Sequence, residues 1–211
     1  MVRRTSTGPS PVFDVDISKI LDVENFLNAV PDATRRAASL AMNDVLSGKG
    51  LARFRKAVAA EVQFPAGYVD DKIEMAQHAT PSRLVASVVG RQRATSLARF
   101  AAGSAVGGKG GVTVRVKRSS TFMPDAFLVR LNKGGGISDD GYNVGLAIRL
   151  KEGTVLNKRD ASRMVHLDKN VVLLYGPSVD QILRNEAADA EMPELVDAIA
   201  TEFFRQFSRL V

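Results

Sequence analysis

The middle of the chain carries the apolar alternation of half-buried β-strands. Between residues 112 and 118, Val112, Val114 and Val116 alternate with polar or charged residues, which puts the valines on one side of a strand. Runs at 84–89, 126–131 and 142–150 have a similar strand character, and glycine-rich turns separate them. We therefore expect an antiparallel sheet of about four strands with one packed face. A shorter alternation near the N-terminus, in VFDVDISKI, permits one further strand.

Helical spacing of apolar residues precedes this region. The spacing predicts an amphipathic helix that ends near Gly48 and covers the sheet, and Pro31 either begins a helix in its first turn or kinks a longer one. The apolar positions of this helix are Phe26, Val30, Ala37, Leu40, Ala41 and Val45.

A helix–turn–helix shape is predicted next. Residues 51–62 have a helical pattern, 65–67 form a turn, and a second short helix is expected from about Tyr68. In DNA-reading proteins of that shape the second helix approaches bases and phosphates. Asp70, Asp71 and Glu74 would repel phosphates there, so the pattern disfavours a DNA-reading role.

The last part of the chain is predicted to be helical. A strand should stop at Leu174, and the corner formed by Tyr175, Gly176, Pro177 and Ser178 should turn the chain into a helix that starts at Pro177 or Ser178. Helices are then expected over 180–190 and over 193–210, the second beginning at Pro193. Its apolar stripe, which either packs on the domain itself or docks a neighbouring subunit, consists of Leu195, Ile199, Phe203 and either Phe207 or Leu210.

These patterns define an α+β fold class. We expect a flexible N-terminal arm over residues 1–11 and a single domain over 12–211, whose segment 178–211 is helical. A chain of 211 residues is long enough to bury one core.

Composition narrows the candidate chemistry. The chain has no cysteine and only two histidines, which excludes disulfides and thiolate metal sites and makes a zinc site improbable. No apolar run reaches the roughly 20 residues that cross a bilayer, and the N-terminus lacks the apolar stretch of a signal peptide. We expect a soluble protein that stays in the cytoplasm or is packaged there, with no metal, no cofactor and no membrane partner.

The charge is unevenly distributed along the sequence. The net charge is +6 and the pI about 9.8, which suggests an acidic partner such as nucleic acid or an acidic protein surface. Residues 83–133 contain ten Lys or Arg and one Asp, whereas residues 178–211 contain seven Asp or Glu and three Arg. Opposite charges of this kind allow copies of the chain to stack on each other, although two ordinary solvated surfaces would have the same composition.

No residue set predicts catalysis. GSAVGGKGG, from Gly103 to Gly111, has the spacing of a phosphate-binding loop up to Lys109, but Gly110 replaces the required Ser or Thr and a strand follows instead of a helix. The paired carboxylates lie in turn, cap or exposed strand contexts, where solvated acids are the default. His166 has Asp168 and Ser162 near it in sequence, but a triad is a spatial arrangement. We therefore expect no enzymatic activity. The carboxylate pairs are Asp14/Asp16, Asp70/Asp71 and Asp139/Asp140.

Basic residues on the open face of the strand at 112–118 are the strongest candidate for a functional surface. Arg115 and Lys117 alternate on one side and Arg118 adjoins them, so this row can contact a phosphate backbone or an acidic protein without reading sequence. Lys109 and Arg130 are further candidates for this partner-facing basic set. Aromatic residues that would stack on single-stranded bases are missing from the pattern.

The order of several landmarks resembles the minor tail protein Z family of tailed bacteriophages and prophages. The landmarks span roughly residues 30–190. This chain departs from the family pattern in two places: its segment 138–170 is longer, and the segment before Gly176-Pro177 lacks the proline that relatives have. In sequence they are DATRRAASLAMNDV, KAVAAEVQFPAGYVDDKI, TSLARFA, a basic strand, FMPDAFLVRLNKGG and LYGPSVDQIL.

The resemblance implies a structural protein of the virion, at the head–tail junction or upper tail. Such a protein forms a ring, with roughly six-fold or twelve-fold symmetry, around the DNA channel. Its implied partners are other copies of itself, the portal-side adaptor, and tail terminator or tail tube proteins, with nonspecific contact to packaged DNA. The alternative is a free, nonspecific DNA-binding protein of phage or prophage origin.

Overall fold

A computed structural model describes residues 13–16, 31–102, 106–108, 110–134, 137–138, 140–151, 153–154 and 164–211. The predicted N-terminal arm, Phe26, Val30 and Lys109 therefore lie outside the described residues. The chain divides into two compact units. The first contains Met1–Val58, Val69–Gln92 and Asp180–Val211, and the second contains Ala59–Tyr68 and Arg93–Val179. A single domain over 12–211 stays a prediction.

Long helices form the core of the first unit. Helix α1 spans Pro31–Val45, a π-helical turn follows at Leu46–Gly50, and α2 spans Leu51–Glu61. At the other end of the chain, α3 spans Val179–Ile182, a second π-helical turn spans Leu183–Ala187, and α4 spans Ala188–Leu210. Helix α1 packs along α4, and the side-chain amide of Gln206 donates a hydrogen bond of 3.0 Å to the carboxylate of Asp44.

The predicted apolar stripes are largely confirmed. Ala37, Ala41 and Val45 are buried on α1, but Leu40 is 37% exposed and does not belong to the stripe. The described part of α1 begins at Pro31, and residues 17–30 lie outside the described part, so the choice between a helix start and a kink stays a prediction. On α4, Leu195, Ile199 and Phe203 are buried. The predicted helix start at Pro193 is wrong, because this proline lies inside α4.

The first unit also contains a three-stranded antiparallel sheet. Strands β1 (Phe13–Asp16), β2 (Ile73–Gln77) and β3 (Val85–Gly90) are ordered β1-β3-β2. The predicted second helix of a helix–turn–helix is therefore wrong. Residues after Tyr68 form turns and then β2, because Ile73 is buried and pairs with Gly90 of the distant strand β3.

The described part of the second unit contains two sheets and two clusters of buried apolar residues. Strands β4 (Ala101–Ala102), β5 (Val112–Val114) and β6 (Thr121–Met123) form a three-stranded sheet, and a four-stranded sheet has the order β7-β8-β10-β9. All pairings within both sheets are antiparallel. The strands of the larger sheet are β7 (Ala126–Arg130), β8 (Val144–Arg149), β9 (Met164–Asp168) and β10 (Val171–Leu174).

The α+β class and antiparallel pairing are confirmed, but two details of the prediction are wrong. The four predicted strand runs are all strands, yet they belong to three different sheets instead of one. The N-terminal helix packs on α4 instead of covering a four-stranded sheet. In the second unit one core cluster combines Ala98, from a 3₁₀ helix at Leu97–Phe100, with the strand residues Val112, Val114, Ala126, Leu128, Leu146, Val172 and Leu174.

Candidate functional site

The predicted basic residues lie on exposed positions of the second unit, but the strand that was expected to carry them is shorter than predicted. β5 ends at Val114, and Lys117 and Arg118 lie in the bend that leads to β6. Arg130 is the last residue of β7. The four described candidates, all exposed, are Arg115, Lys117, Arg118 and Arg130.

Backbone hydrogen bonds hold the start of this basic loop. The amide of Arg115 donates to the carbonyl of Phe100 at 2.9 Å, which extends the β4–β5 ladder by one residue, and the amide of Gln63 donates to the carbonyl of Val116 at 2.9 Å. The exposed side chains therefore project from an anchored backbone. The loop Arg115–Ser120 joins β5 to β6 and is called the basic loop below.

The excess positive charge of the protein belongs entirely to the second unit. Its sequence ranges contain 14 Lys or Arg and 7 Asp or Glu, a net charge of +7, whereas the first unit contains 15 and 16, a net charge of −1. A surface with this balance attracts polyanions and acidic protein surfaces. All seven acidic residues of segment 178–211 lie in the first unit, which resumes at Asp180.

Arg99 shows that not every basic residue of this region is part of a solvated surface. Its guanidinium carbon lies 4.7 Å from the ring centroid of Tyr68 and 4.4 Å from that of Tyr142. The ring of Phe64 stacks on Tyr68 at 5.3 Å. Arg99 is therefore a packing residue that joins aromatic side chains from two distant parts of the sequence.

The corner at Tyr175–Ser178 is confirmed as the end of a strand and the approach to a helix. β10 ends at Leu174 and α3 begins at Val179, one residue after the predicted start. The hydroxyl of Tyr175 donates to the carbonyl of Ile137 at 2.7 Å. Ser178 is buried.

The corner contacts the Leu-Ala-Arg-Phe segment, which is a 3₁₀ helix at Leu97–Phe100. The amide of Gly176 donates to the carbonyl of Thr95 at 2.7 Å, and Ser96 and Tyr175 form an isolated antiparallel bridge. A Cβ atom on Gly176 would lie 3.1 Å from Cδ2 of Leu97. Two of the sequence landmarks are thus in direct contact, although about 80 residues separate them.

The glycine-rich loop does not have the geometry of a phosphate-binding loop. Gly108 and Gly110 line a cavity of about 350 Å³ together with Phe127 and Arg149, and strand β5 follows the loop. The guanidinium carbon of Arg149 lies 5.8 Å from the ring centroid of Phe127. No helix N-terminus follows the described part of the loop, so the cradle that phosphates need is missing there.

The described candidate acid and base residues are mostly exposed. Asp70, Asp140, His166 and Asp168 are exposed. Asp71 pairs with Lys72 at 2.7 Å, and a hydrogen bond from Lys72 lowers the pKa of Asp71. Among the residues that the structure describes, no group of three or more His, Asp or Glu is arranged to hold a metal ion. Asp139, Ser162 and the side chains of Asp14 and Asp16 lie outside that part.

Sequence reasoning missed one exposed aromatic side chain beside the basic loop. Phe122 on β6 is 58% exposed, contrary to the expectation that aromatic residues are missing from this surface. A signal was available in the sequence, because Thr121-Phe122-Met123 follows the basic loop and strand alternation turns Phe122 away from its neighbours.

Comparisons of the chain with protein-family models, curated proteins and solved structures find no match. Within the described ranges, no helix is both long enough and apolar enough to span a bilayer.

Proposed function

We propose that the chain is a structural virion protein of a tailed bacteriophage, a ring-forming neck or tail-completion component that joins the portal side of the head to the tail around the DNA channel. The observation that carries the proposal is the ordered series of landmarks from DATRRAASLAMNDV to LYGPSVDQIL. The contact between Thr95–Phe100 and the corner at Tyr175–Ser178 supports it, because these landmarks form one packed arrangement. In the proposal, that corner orients the C-terminal helices toward a neighbouring subunit.

Charge is the second support for assembly. The net charge of +7 in the second unit and the seven acidic against three basic residues of segment 178–211 give one chain two regions of opposite net charge. Head-to-tail contacts between such regions on successive copies close into a ring when the rotation between copies allows it. The exposed residues Arg115, Lys117, Arg118 and Arg130 suit a surface that lies near DNA or an acidic neighbour.

Apolar side chains at the end of α4 are the third support. Phe204 is 61% exposed and Val211 is 77% exposed, and Leu210 lies between them in sequence. Exposed apolar side chains that lie close in sequence at the end of a helix suit contact with another protein chain. In the proposal this segment docks on a neighbouring subunit or tail component.

Ring formation is tested with the purified full-length chain. Mass photometry and negative-stain imaging should detect closed rings, and Phe204→Asp should shift the population toward single chains. Val165→Asp is the matched control, since Val165 is also an exposed apolar residue, 37% exposed, but belongs to β9 of the second unit. A protein that stays monomeric at all concentrations and with tail-terminator or portal-adaptor partners would contradict the proposal.

Nonspecific DNA binding by a free protein is the second candidate, and the exposed basic loop favours it. Duplex DNA affinity should then fall steeply with salt, with a logarithmic slope of about −0.9 for each phosphate contacted. The triple variant Arg115→Ala, Lys117→Ala, Arg118→Ala should flatten that slope. Salt-independent binding would remove this candidate.

A further inference from the structure

The outer face of the β4-β5-β6 sheet is a small open platform with an aromatic residue on it. Ala102, Thr113 and Phe122 form one cross-strand row, because Ala102 pairs with Thr113 and Thr113 pairs with Phe122. Val112 and Val114 point to the opposite side, where they are buried in the core. The row therefore faces away from the core, and Phe122 keeps 58% of its surface exposed.

Gly111 fixes the place of the Phe122 ring. A Cβ atom on Gly111 would lie 2.7 and 2.8 Å from two ring carbons of Phe122, and Gly111 has a φ of +85°. No L side chain fits that space, and the glycine conformation is one that other residues rarely adopt. The ring consequently rests against the glycine backbone while much of its surface remains open.

Positive charge borders this aromatic platform. Arg115 directly follows β5, and its amide continues the ladder with Phe100, so strand alternation places its side chain on the same side as Thr113. Lys117 and Arg118 follow in the basic loop, whose last residue directly precedes β6. An exposed ring beside a cationic loop is the combination that binds single strands, in which bases stack on the ring and phosphates meet the cations.

We infer that the outer face of the β4-β5-β6 sheet binds single-stranded nucleic acid, with Phe122 as the stacking platform for one base and the basic loop as the phosphate contact. A duplex covers its base faces by stacking, so Phe122 contributes to affinity only with unpaired bases. The inference goes beyond the proposed virion role, because it holds for single chains as well as for a ring.

Fluorescence anisotropy with the full-length protein tests the stacking contact. The probes are oligothymidylate and oligouridylate of roughly 12 nucleotides and a duplex of the same length. Phe122→Ala should weaken binding to the single strands roughly tenfold and leave duplex binding unchanged. Leu167→Ala is the matched control, since Leu167 is 38% exposed on β9 of the same unit, and it should bind as the wild type does. The two single-stranded probes distinguish DNA from RNA.

A direct spectroscopic readout is available because the chain has no tryptophan. Phe122→Trp introduces one fluorophore, which should be quenched when oligothymidylate or oligouridylate binds and unaffected by the duplex. Leu167→Trp should show no quenching. The inference is overturned if neither single strand binds, if Phe122→Ala binds single strands as tightly as the wild type, or if the two tryptophan variants respond alike. These results are independent of ring formation, so failure here leaves the virion proposal to its own test.

Discussion

Gly90 at the end of β3 touches the backbone of Asp180 so closely that a Cβ atom on Gly90 would lie 2.7 Å from the Cα of Asp180 and 2.9 Å from its amide nitrogen. The amide of Asp180 also donates to the carbonyl of Arg91 at 3.1 Å. The start of the C-terminal helical segment is thus attached to the end of β3 by contacts between backbone atoms of both segments.

Gly90→Ala should lower the free energy of unfolding by about 2 kcal/mol, because overpacking against backbone atoms cannot be relieved by a side-chain rotation. Urea denaturation measures the change. Gly48→Ala is the control, since nothing lies within 4 Å of a Cβ atom there, and it should leave stability unchanged or raise it by about 0.5–1 kcal/mol. Equal stability of the two variants would mean that the Gly90–Asp180 contact is not close.

Arg99→Ala should lower the free energy of unfolding by about 1–2 kcal/mol, because the guanidinium is placed between the rings of Tyr68 and Tyr142. Arg99→Lys keeps the charge but loses the planar group that stacks on the rings, so it should restore only part of the stability. Chemical denaturation of both variants tests this. Arg118→Ala, at an exposed position of the same unit, should change stability by less than about 0.5 kcal/mol; a similar loss there would contradict the packing role of Arg99.

Ile199→Ala should cost about 3 kcal/mol, since Ile199 is 1% exposed on the face of α4 that meets α1. Leu210→Ala, near the end of the same helix and 36% exposed, should cost less than about 1 kcal/mol. Thermal unfolding should therefore separate the two variants. If they lose the same stability, the predicted burial of the stripe on α4 is wrong.

Asp180 should make stability depend on pH in an unusual direction. Burial raises the pKa of Asp180, and this effect outweighs the opposing charge and hydrogen bond of Arg184. The folded state then binds the proton more tightly than the unfolded chain. This contribution to stability is largest below the unfolded-state pKa and falls as pH rises through the folded-state pKa. Relative to Asp180→Asn, the wild type should therefore gain stability as pH is lowered toward about 4.

Glu202 provides the control of opposite sign. A hydrogen bond from Arg205 lowers the pKa of Glu202, so its contribution is present above the unfolded-state pKa and is lost as pH falls through the lower folded-state value. Relative to Glu202→Gln, the wild type should lose stability on acidification. Urea titrations at several pH values measure both differences, and slopes of the same sign would contradict the assignment for Asp180.

The sequence predicted local features well where a specific residue determines the backbone. The corner at Tyr175–Ser178 was predicted because glycine and proline restrict the chain there, and the stripe on α4 was predicted because its spacing matches one helix face. Pro193 was misleading, because proline favours the first turn of a helix but here lies inside α4, where it donates no backbone hydrogen bond.

Features that depend on distant partners could not be predicted. Residues 73–77 become β2 only because β3 offers a pairing edge, and the division of the strands into three sheets is a property of pairing between remote segments. The basic row was expected on a strand that continues to residue 118. Because Val114 pairs with Thr121, the first residue of β6, the chain turns after Val114 and the basic residues lie in the connecting loop. The alternation in Thr121-Phe122-Met123 was a sequence signal for the exposure of Phe122, but the placement of its ring against Gly111 depends on pairing between β5 and β6.

Cryo-electron microscopy of purified phage particles whose genome encodes this chain tests the virion proposal most directly. The proposal predicts a ring of copies on the axis between the portal and the tail, with the second unit's basic residues toward DNA or an acidic neighbour. Particles that lack the chain, or a position away from the portal axis, would contradict it.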